Sequence, residues 1–508
     1  MSKKIIYLLL ILLSTGLLIL ALKGNRGNPI SYQSGYNTQV GGPFESSNST
    51  ARYALVEAIV KGKTLTLTEE QARFASPDVS AKDGKFFSIF TPGVSFIAIP
   101  FYMLGGLLGF PQLGAYLSVA VFSLFNLYLI SVVGRRLGAS FWASTFGGFI
   151  FLFATNALGY SQTLTQHQMG VTAILLALLN AMQKRTWLNN ASFGALAGVG
   201  LMLDVPIFIF LIPIGLYILT KHFSLEEVKQ KYKIAVKLSL VGLLIGIIPL
   251  FVLFGWYNNQ TTGSYTTLAQ TVGRTDAFKI LSEAEKKNAE KNKGSVESKR
   301  GGVDIPFDTR EQLRGFYILM LSPERAWLFY SPIVFLGVFG IYLGLKNKKT
   351  QTATSLMACI ILLNIVLYTM FGDPWGGWSF GPRYLIPAAA LLCIFAALFI
   401  DRYKNNYFVI ALVMILLGYS VAINSIGVLT TNAIPPKVEA VALNKPIPYT
   451  PQYNLDILKS NNSSSLFYNQ YLSAHLDAKT YAFFYTTLIY ILGVALLTAT
   501  IFGKEKKQ

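Results

Sequence analysis

IFTPGVSFIAIPFYMLGGLLGF, residues 89–110, is long and apolar enough to be taken for a membrane span, and its reading decides the topology of everything after it. It contains Pro92, Pro100 and four glycines, and counting it as a span would place Arg135 and Arg136 outside the cell. Short loops rich in Lys and Arg stay on the cytoplasmic side. The stretch is therefore expected to form a helix lying along, or dipping into, the outer membrane face. Spans are then expected at about 5–22, 112–134, 140–159, 168–183, 190–204, 206–220, 237–256, 326–345, 352–371, 384–400, 407–428 and 481–502. This leaves Arg135/Arg136, Lys184/Arg185, Lys221 to Lys237, Lys346/Lys348/Lys349, Arg402/Lys404 and Lys504/Lys506/Lys507 inside. All six clusters agree, so the chain reads as a multi-pass protein of the cell (plasma) membrane with both termini cytoplasmic.

Composition supports that reading. The 508 residues are 53% hydrophobic and 13% charged, with mean hydropathy +0.47, more apolar matter than one soluble core can bury. The net charge of +19 raises nucleic acid as a partner, but the cations sit in short clusters beside apolar runs, which excludes it. Cys359 and Cys393 lie inside apolar runs and read as structural thiols, with no disulfide framework and no metal knuckle. The fold class is all-α and polytopic, about 12 transmembrane helices with a first outer loop that bears membrane-surface helices.

The first apolar run, Ile5 to Leu22, exceeds a usual signal-peptide core and lacks a small-x-small cleavage site, so a retained signal anchor is expected. Residues 1–428 are read as one transmembrane module that includes outer loops 23–111 and 257–325. Residues 429–508 add an outer loop and a final span. Glu283 to Arg300 reads as a solvated helix or spacer, and Thr430 to Thr480 receives no chemistry.

An outer loop followed by a surface helix makes a pocket at the lipid boundary, where a polar head group and its long tail are handled together. In that loop Asn48 to Val60 has apolar residues at helical spacing, with Arg52 and Tyr53 near its start, and reads as a short amphipathic helix. Asp78 and the stretch Asp83 to Phe96 then lead into the surface helix.

The order of ARYALVEAIVKGK, DGKFFSIFTPGVSFIAIPFYML, GRRLGAS, GWYNNQTTGSY, LSPERAWLFYSP and WGGWSFGPRYLIPA resembles the prokaryotic GT-C glycosyltransferases. The chain is similar to the group that includes protein O-mannosyltransferases and the lipid A aminoarabinose transferase. The resemblance runs from the first span to about Pro387. It implies a polyprenyl-phosphate sugar as donor, reaction at the outer face, and a first-loop carboxylate as base on the acceptor. An acceptor hydroxyl loses a proton as it attacks the anomeric carbon, and the departing lipid phosphate needs positive charge.

The sequence departs from that group at one place. Aligning Arg52-Tyr53-Ala54 with the similar tripeptide of the aminoarabinose transferase puts Ser49 where the acidic residue would stand, and a serine cannot be that base. Glu45 and Asp78 are the alternatives, with Glu57 behind them. Arg383 follows the glycine- and tryptophan-rich turn Trp375 to Pro382 and is expected to hold the phosphate, with Trp378 at the interface and Asp373 orienting it. His167 and Asp204 fall at outer span ends. His167 reads as either a substrate contact or a structural hydrogen-bonder. Asp204 reads as either a catalytic group or the N-cap of the helix entered at Pro206. Arg52 and Tyr53 complete the substrate-binding candidates.

The expected function is an inverting glycosyltransferase that moves a sugar from a polyprenyl-phosphate carrier to an extracytoplasmic lipid, glycan or protein acceptor, with its active site on the outer face. A lipid-linked glycan transporter or flippase, and a glycan polymerase or ligase, are the alternatives. The three histidines lack ligand spacing, so no dedicated metal site is expected; a divalent cation held by carboxylates at the phosphate is left open.

Overall fold

A computed structural model describes residues 3–24, 41–42, 44–228, 231–275, 311–443 and 445–503, with the backbone alone for 224–236. The run Glu283 to Arg300 and the cluster Lys504/Lys506/Lys507 lie outside the described residues. Helix α1 (Lys3–Leu20) leads into the first loop, which carries α2 (Ser47–Val60), α3 (Glu69–Ala75) and a hairpin of β1 (Val79–Lys82) and β2 (Lys85–Ser88). There follow α4 (Gly93–Leu107), α5 (Pro111–Arg136), α6 (Phe141–Phe153), α7 (Gln166–Ala181), α8 (Trp187–Leu203) and α9 (Val205–Thr220). Strands β3 (Phe223–Val228) and β4 (Lys231–Val236) precede α10 (Val241–Thr262) and the single turn α11 (Ala269–Val272).

The second half holds α12 (Gln312–Met320), α13 (Trp327–Tyr330), α14 (Leu336–Lys346), α15 (Gln351–Thr369), α16 (Ile386–Tyr403) and α17 (Tyr407–Val428). The short α18 (Lys437–Ala442) and α19 (Gln452–Lys459) then lead to α20 (Ala478–Phe502). Seven helices among the described residues are long and apolar enough to cross a membrane, and four shorter ones are also apolar. The protein is therefore an all-α, multi-pass membrane protein.

Helices lie at the expected spans: α17 matches end for end, whereas α6 stops at Phe153, short of 159, and α10 starts at Val241 and runs on to Thr262. One span breaks. The segment expected at 326–345 is the turn α13, a 3-10 stretch Pro332–Phe335, then α14, because Pro332 lacks the N–H that a continuous helix needs there. Within the cationic segment 221–237, β3 and β4 pair antiparallel. The stretch 89–110 yields a 15-residue helix that starts after Pro92 and ends before Gly109, whose positive φ of 82° turns the chain into α5.

Small residues set the closest helix contacts. A side chain at Gly246 of α10 would lie 1.9 Å from the main-chain oxygen of Ala191 in α8, and one at Gly340 of α14 would lie 1.9 Å from that of Phe395 in α16. Glycine at such crossings lets backbones approach where lipid provides no hydrophobic drive for association.

The expectation of an amphipathic helix at 48–60 is corrected. Helix α2 forms, but Asn48 to Ala58 are all buried, because α3, the β1–β2 hairpin and α4 enclose it. The C-terminal segment is also no appendage. Gly24 N donates to Ser464 O (3.0 Å), Leu466 N to Leu22 O (2.7 Å), and the Tyr481 hydroxyl to Leu20 O (2.6 Å), which fastens residues 464–481 to the end of α1.

Candidate active site

Three stretches far apart in sequence converge beneath the first loop. From α2, Arg52 is 1% exposed, and its guanidinium lies over the Phe90 ring, 3.9 Å from the centroid. Its Nη1 donates to Asn48 O at 3.0 Å and also to the Asn48 side chain, and its Nη2 donates to Gln166 Oε1 at 2.8 Å. Gln166, the first residue of α7, passes the contact on: its Nε2 donates to Asp204 Oδ2 at 2.8 Å. Asp204 stands at the N-cap position of α9, yet its side chain makes no capping bond and engages Gln166 instead. Burial pulls the Arg52 guanidinium down to about 10, while Asp204 and Asp78 push it back up and Arg383 lowers it. Both carboxylates and the second arginine thus lie within electrostatic reach of Arg52.

The turn 375–383 presents Arg383. Gly376, Gly377 and Gly381 have φ of 71°, 62° and 63°, a region that other residues enter at a cost. A side chain at Gly376 would stand 2.8 Å from Arg383 Nε, so glycine is what leaves that arginine its place. The Arg383 guanidinium sits 5.3 Å from the Tyr384 ring centroid, and its buried Nε has no hydrogen-bond partner. Among the described residues no carboxylate forms an ion pair with it. Asp373 bears on it electrostatically without touching it. Trp378 is 38% exposed and donates its indole N–H to Glu439 at 2.5 Å, on the open side of the turn.

What holds the turn is a pair that sequence reading passed over. Arg325, fully buried, donates to Trp375 O (3.1 Å), Gly377 O (3.3 Å), Ile434 O (2.7 Å) and Glu324 O (2.7 Å). Burial lowers its affinity for the proton. Glu324 accepts the Trp375 indole N–H at 2.7 Å and Lys437 N at 3.0 Å. Arg325 is a cross-brace for four main-chain carbonyls, and Gln166 is the hinge between Arg52 and Asp204.

The remaining candidates fall in distinct places. His167 is buried, edge-on to Tyr160 at 5.4 Å between centroids, and within electrostatic reach of Arg383 and Arg52. Tyr53 is buried among Phe44, Phe74 and Tyr102. Asp78 accepts Ser47 Oγ at 2.7 Å on one oxygen and Arg274 Nη2 at 2.6 Å on the other. Glu45 accepts Lys23 Nζ (2.6 Å) and Asn432 N (2.8 Å) on Oε1, and Gly41 N (2.7 Å) and the Thr431 hydroxyl on Oε2. Four donors fill the lone pairs a carboxylate offers. Among the described residues, no three His, Cys, Asp or Glu side chains gather as ligands for a metal ion.

No protein-family model matches the chain, and no curated protein matches it in sequence. Solved structures do match. ArnT from Cupriavidus metallidurans bound to undecaprenyl phosphate superposes with a TM-score of 0.51 at 15% identity, covering 98% of this chain and 78% of that one. The apo state of the same protein gives 0.48 at 14% identity, covering 99% and 78%. ArnT is an aminoarabinose transferase of the GT-C type. At this identity the likeness speaks for the fold, and it extends over nearly the whole chain: this protein has a GT-C-like fold.

Proposed function

We propose that the protein is an inverting membrane glycosyltransferase that moves a sugar from a polyprenyl-phosphate carrier to an acceptor hydroxyl on the non-cytoplasmic face. The observation that carries the reading is Arg383, a partly buried cation on a glycine-built turn, left without a carboxylate among the described residues. Such a group is costly unless an anion arrives to complete it. A phosphate monoester or diester fits its planar fork. The GT-C-like fold, shared with a protein crystallised with undecaprenyl phosphate, supports the lipid-phosphate nature of that anion.

Of Glu45, Asp78 and Asp204, Asp204 is the one without an ion-pair partner among the described residues, and it lies within electrostatic reach of both Arg52 and Arg383. It takes the proton of the acceptor hydroxyl as that oxygen attacks the anomeric carbon. The bond from that carbon to the phosphate oxygen breaks, its electron pair stays on the phosphate, and Arg383 holds the resulting charge. Gln166, oriented by Arg52, holds one oxygen of Asp204. The acceptor, whether lipid, glycan or protein, is left to the assay below.

Purified full-length protein with radiolabelled polyprenyl-phosphate hexose or pentose and a membrane extract as acceptor should transfer label. Arg383→Ala should reduce transfer about ten- to hundredfold, the value of a lost charge-assisted bond, and Arg383→Lys should recover part of it. Transfer that persists unchanged in Arg383→Ala removes this residue from the phosphate. Gly376→Ala tests the turn. It strains the backbone by about 1–3 kcal/mol and displaces the guanidinium, so transfer should fall more than thermal stability does.

A further inference from the structure

The stretch between α6 and α7, residues 154–165, carries buried polar atoms that nothing above employs. Asn156 is fully buried, and neither its Nδ2 nor its Oδ1 has a hydrogen-bond partner. The hydroxyls of Thr163 and Thr165, in the same stretch, are buried and equally without partners. A carboxamide with both ends unsatisfied is a rare and destabilising arrangement, which calls for an explanation.

The place of Asn156 supplies one. A side chain built at Gly381 would come within 3.0 Å of the Tyr330 ring and 3.3 Å of Asn156 Cβ, so Asn156 lies directly against the turn, beside the residue two before Arg383. The residue before Gly381, Phe380, donates its N–H to Tyr160 Oη at 3.1 Å, and Tyr160 carries His167 on its ring. Asn156 and Tyr160, two uncharged hydrogen-bonding residues, therefore pack against the turn that bears Arg383.

We propose that Asn156 reads the transferred sugar, its amide donating to one hydroxyl and accepting from a neighbouring one, while Arg383 holds the phosphate. The inference rests on the donor reading above and adds the class of sugar: an uncharged, hydroxyl-bearing pyranose or furanose. An amino sugar would bring a third cation beside Arg383 and Arg52, whereas the Asn156 carboxamide offers only a neutral donor and a neutral acceptor. A carboxamide is suited to two adjacent hydroxyls because each hydroxyl both donates and accepts.

The test measures binding to the full-length protein in nanodiscs. The probes are bare polyprenyl phosphate, polyprenyl-phosphate glucose, mannose, galactose and arabinose, and a polyprenyl-phosphate amino sugar. Wild type should bind at least one neutral sugar lipid more tightly than both the bare phosphate and the amino sugar. Asn156→Leu, an apolar replacement of similar size, should weaken binding of that lipid about ten- to hundredfold and leave bare polyprenyl phosphate unchanged. Its thermal stability should hold or rise, since the variant removes unsatisfied atoms from the interior. Asn156→Ala should repeat the binding result should the leucine variant pack poorly.

Equal losses for sugar-bearing and bare lipid, or a fall in stability with no change in selectivity, would overturn the role. Tighter binding of the amino sugar by wild type would overturn the sugar class. Binding of bare phosphate with no sugar preference sinks this inference while sparing the phosphate site; failure to bind any lipid phosphate sinks both.

Discussion

Asp204→Asn is expected to lower the rate of sugar transfer by about 10²–10⁴-fold, the range that a positioned general base supplies. The substitution keeps the shape and still accepts the Gln166 amide through its remaining oxygen, so the 2.8 Å contact that ties α7 to the α8–α9 junction survives. Only the capacity to take a proton is lost. Donor binding should be little changed, since Arg383 is untouched, and the loss should appear in single-turnover rate. Asp78→Asn makes the contrast. Its cation, Arg274, is 61% exposed, and a pair of that kind is worth about 0–1 kcal/mol, so transfer should fall less than about tenfold. The reverse pattern, a severe loss in Asp78→Asn and a mild one in Asp204→Asn, would transfer the role to Asp78. Gln166→Leu probes the link itself: with Asp204 unheld and Arg52 deprived of a partner, the rate should drop by an intermediate factor while the donor is still bound.

The helices were legible because apolar length and cationic loops are local signals, read without knowing what packs on what. Hence α1, α5 and α17 fall where their apolar runs lie, and 89–110 gives a short helix bounded by Pro92 and Gly109. The candidate site was legible where charge stands out against an apolar background, as with Arg52, Asp204 and Arg383, which the fold brings within electrostatic reach of one another. Uncharged members were not. Gln166 and Asn156 resemble any amide near a helix end, and their meaning comes from partners, or the want of them, far along the chain. Main-chain contacts leave no trace in sequence at all. The segment after Thr430 carries no conspicuous residue, yet Ile434 O receives Arg325 Nη2 at 2.7 Å and Ser379 N at 2.9 Å, so it helps set the turn that bears Arg383. Glu324 and Arg325 lay within a recognised motif, but a buried cross-brace becomes visible only when the carbonyls 50 residues away are in place. The amphipathic reading of α2 failed for a related reason, since spacing cannot reveal that a helix is enclosed on every side.

Glu45→Ala should cost about 3–5 kcal/mol of stability, the penalty for breaking a buried ion pair by removing one partner. Lys23 and Glu45 are each 2% exposed in their side chains and 2.6 Å apart. Without the carboxylate, Lys23 is left unpaired in a place water barely reaches, and Gly41 N, Asn432 N and the Thr431 hydroxyl lose their acceptor together. The pair joins the end of α1, the entry to α2 and the chain after α17, so the loss should loosen the first loop and the 429–434 segment at once. Thermal unfolding in detergent and faster proteolysis near residue 431 would register it. Lys23→Met in the Glu45→Ala background should recover part of the loss, because the stranded cation is then gone, and the two changes should be clearly non-additive. Glu45→Gln separates this structural role from a catalytic one. The amide keeps one acceptor oxygen but turns a donor toward donors, so it too should destabilise. A Glu45→Gln protein as stable as wild type, yet without transfer activity, would return Glu45 to the position of base and displace Asp204 from it.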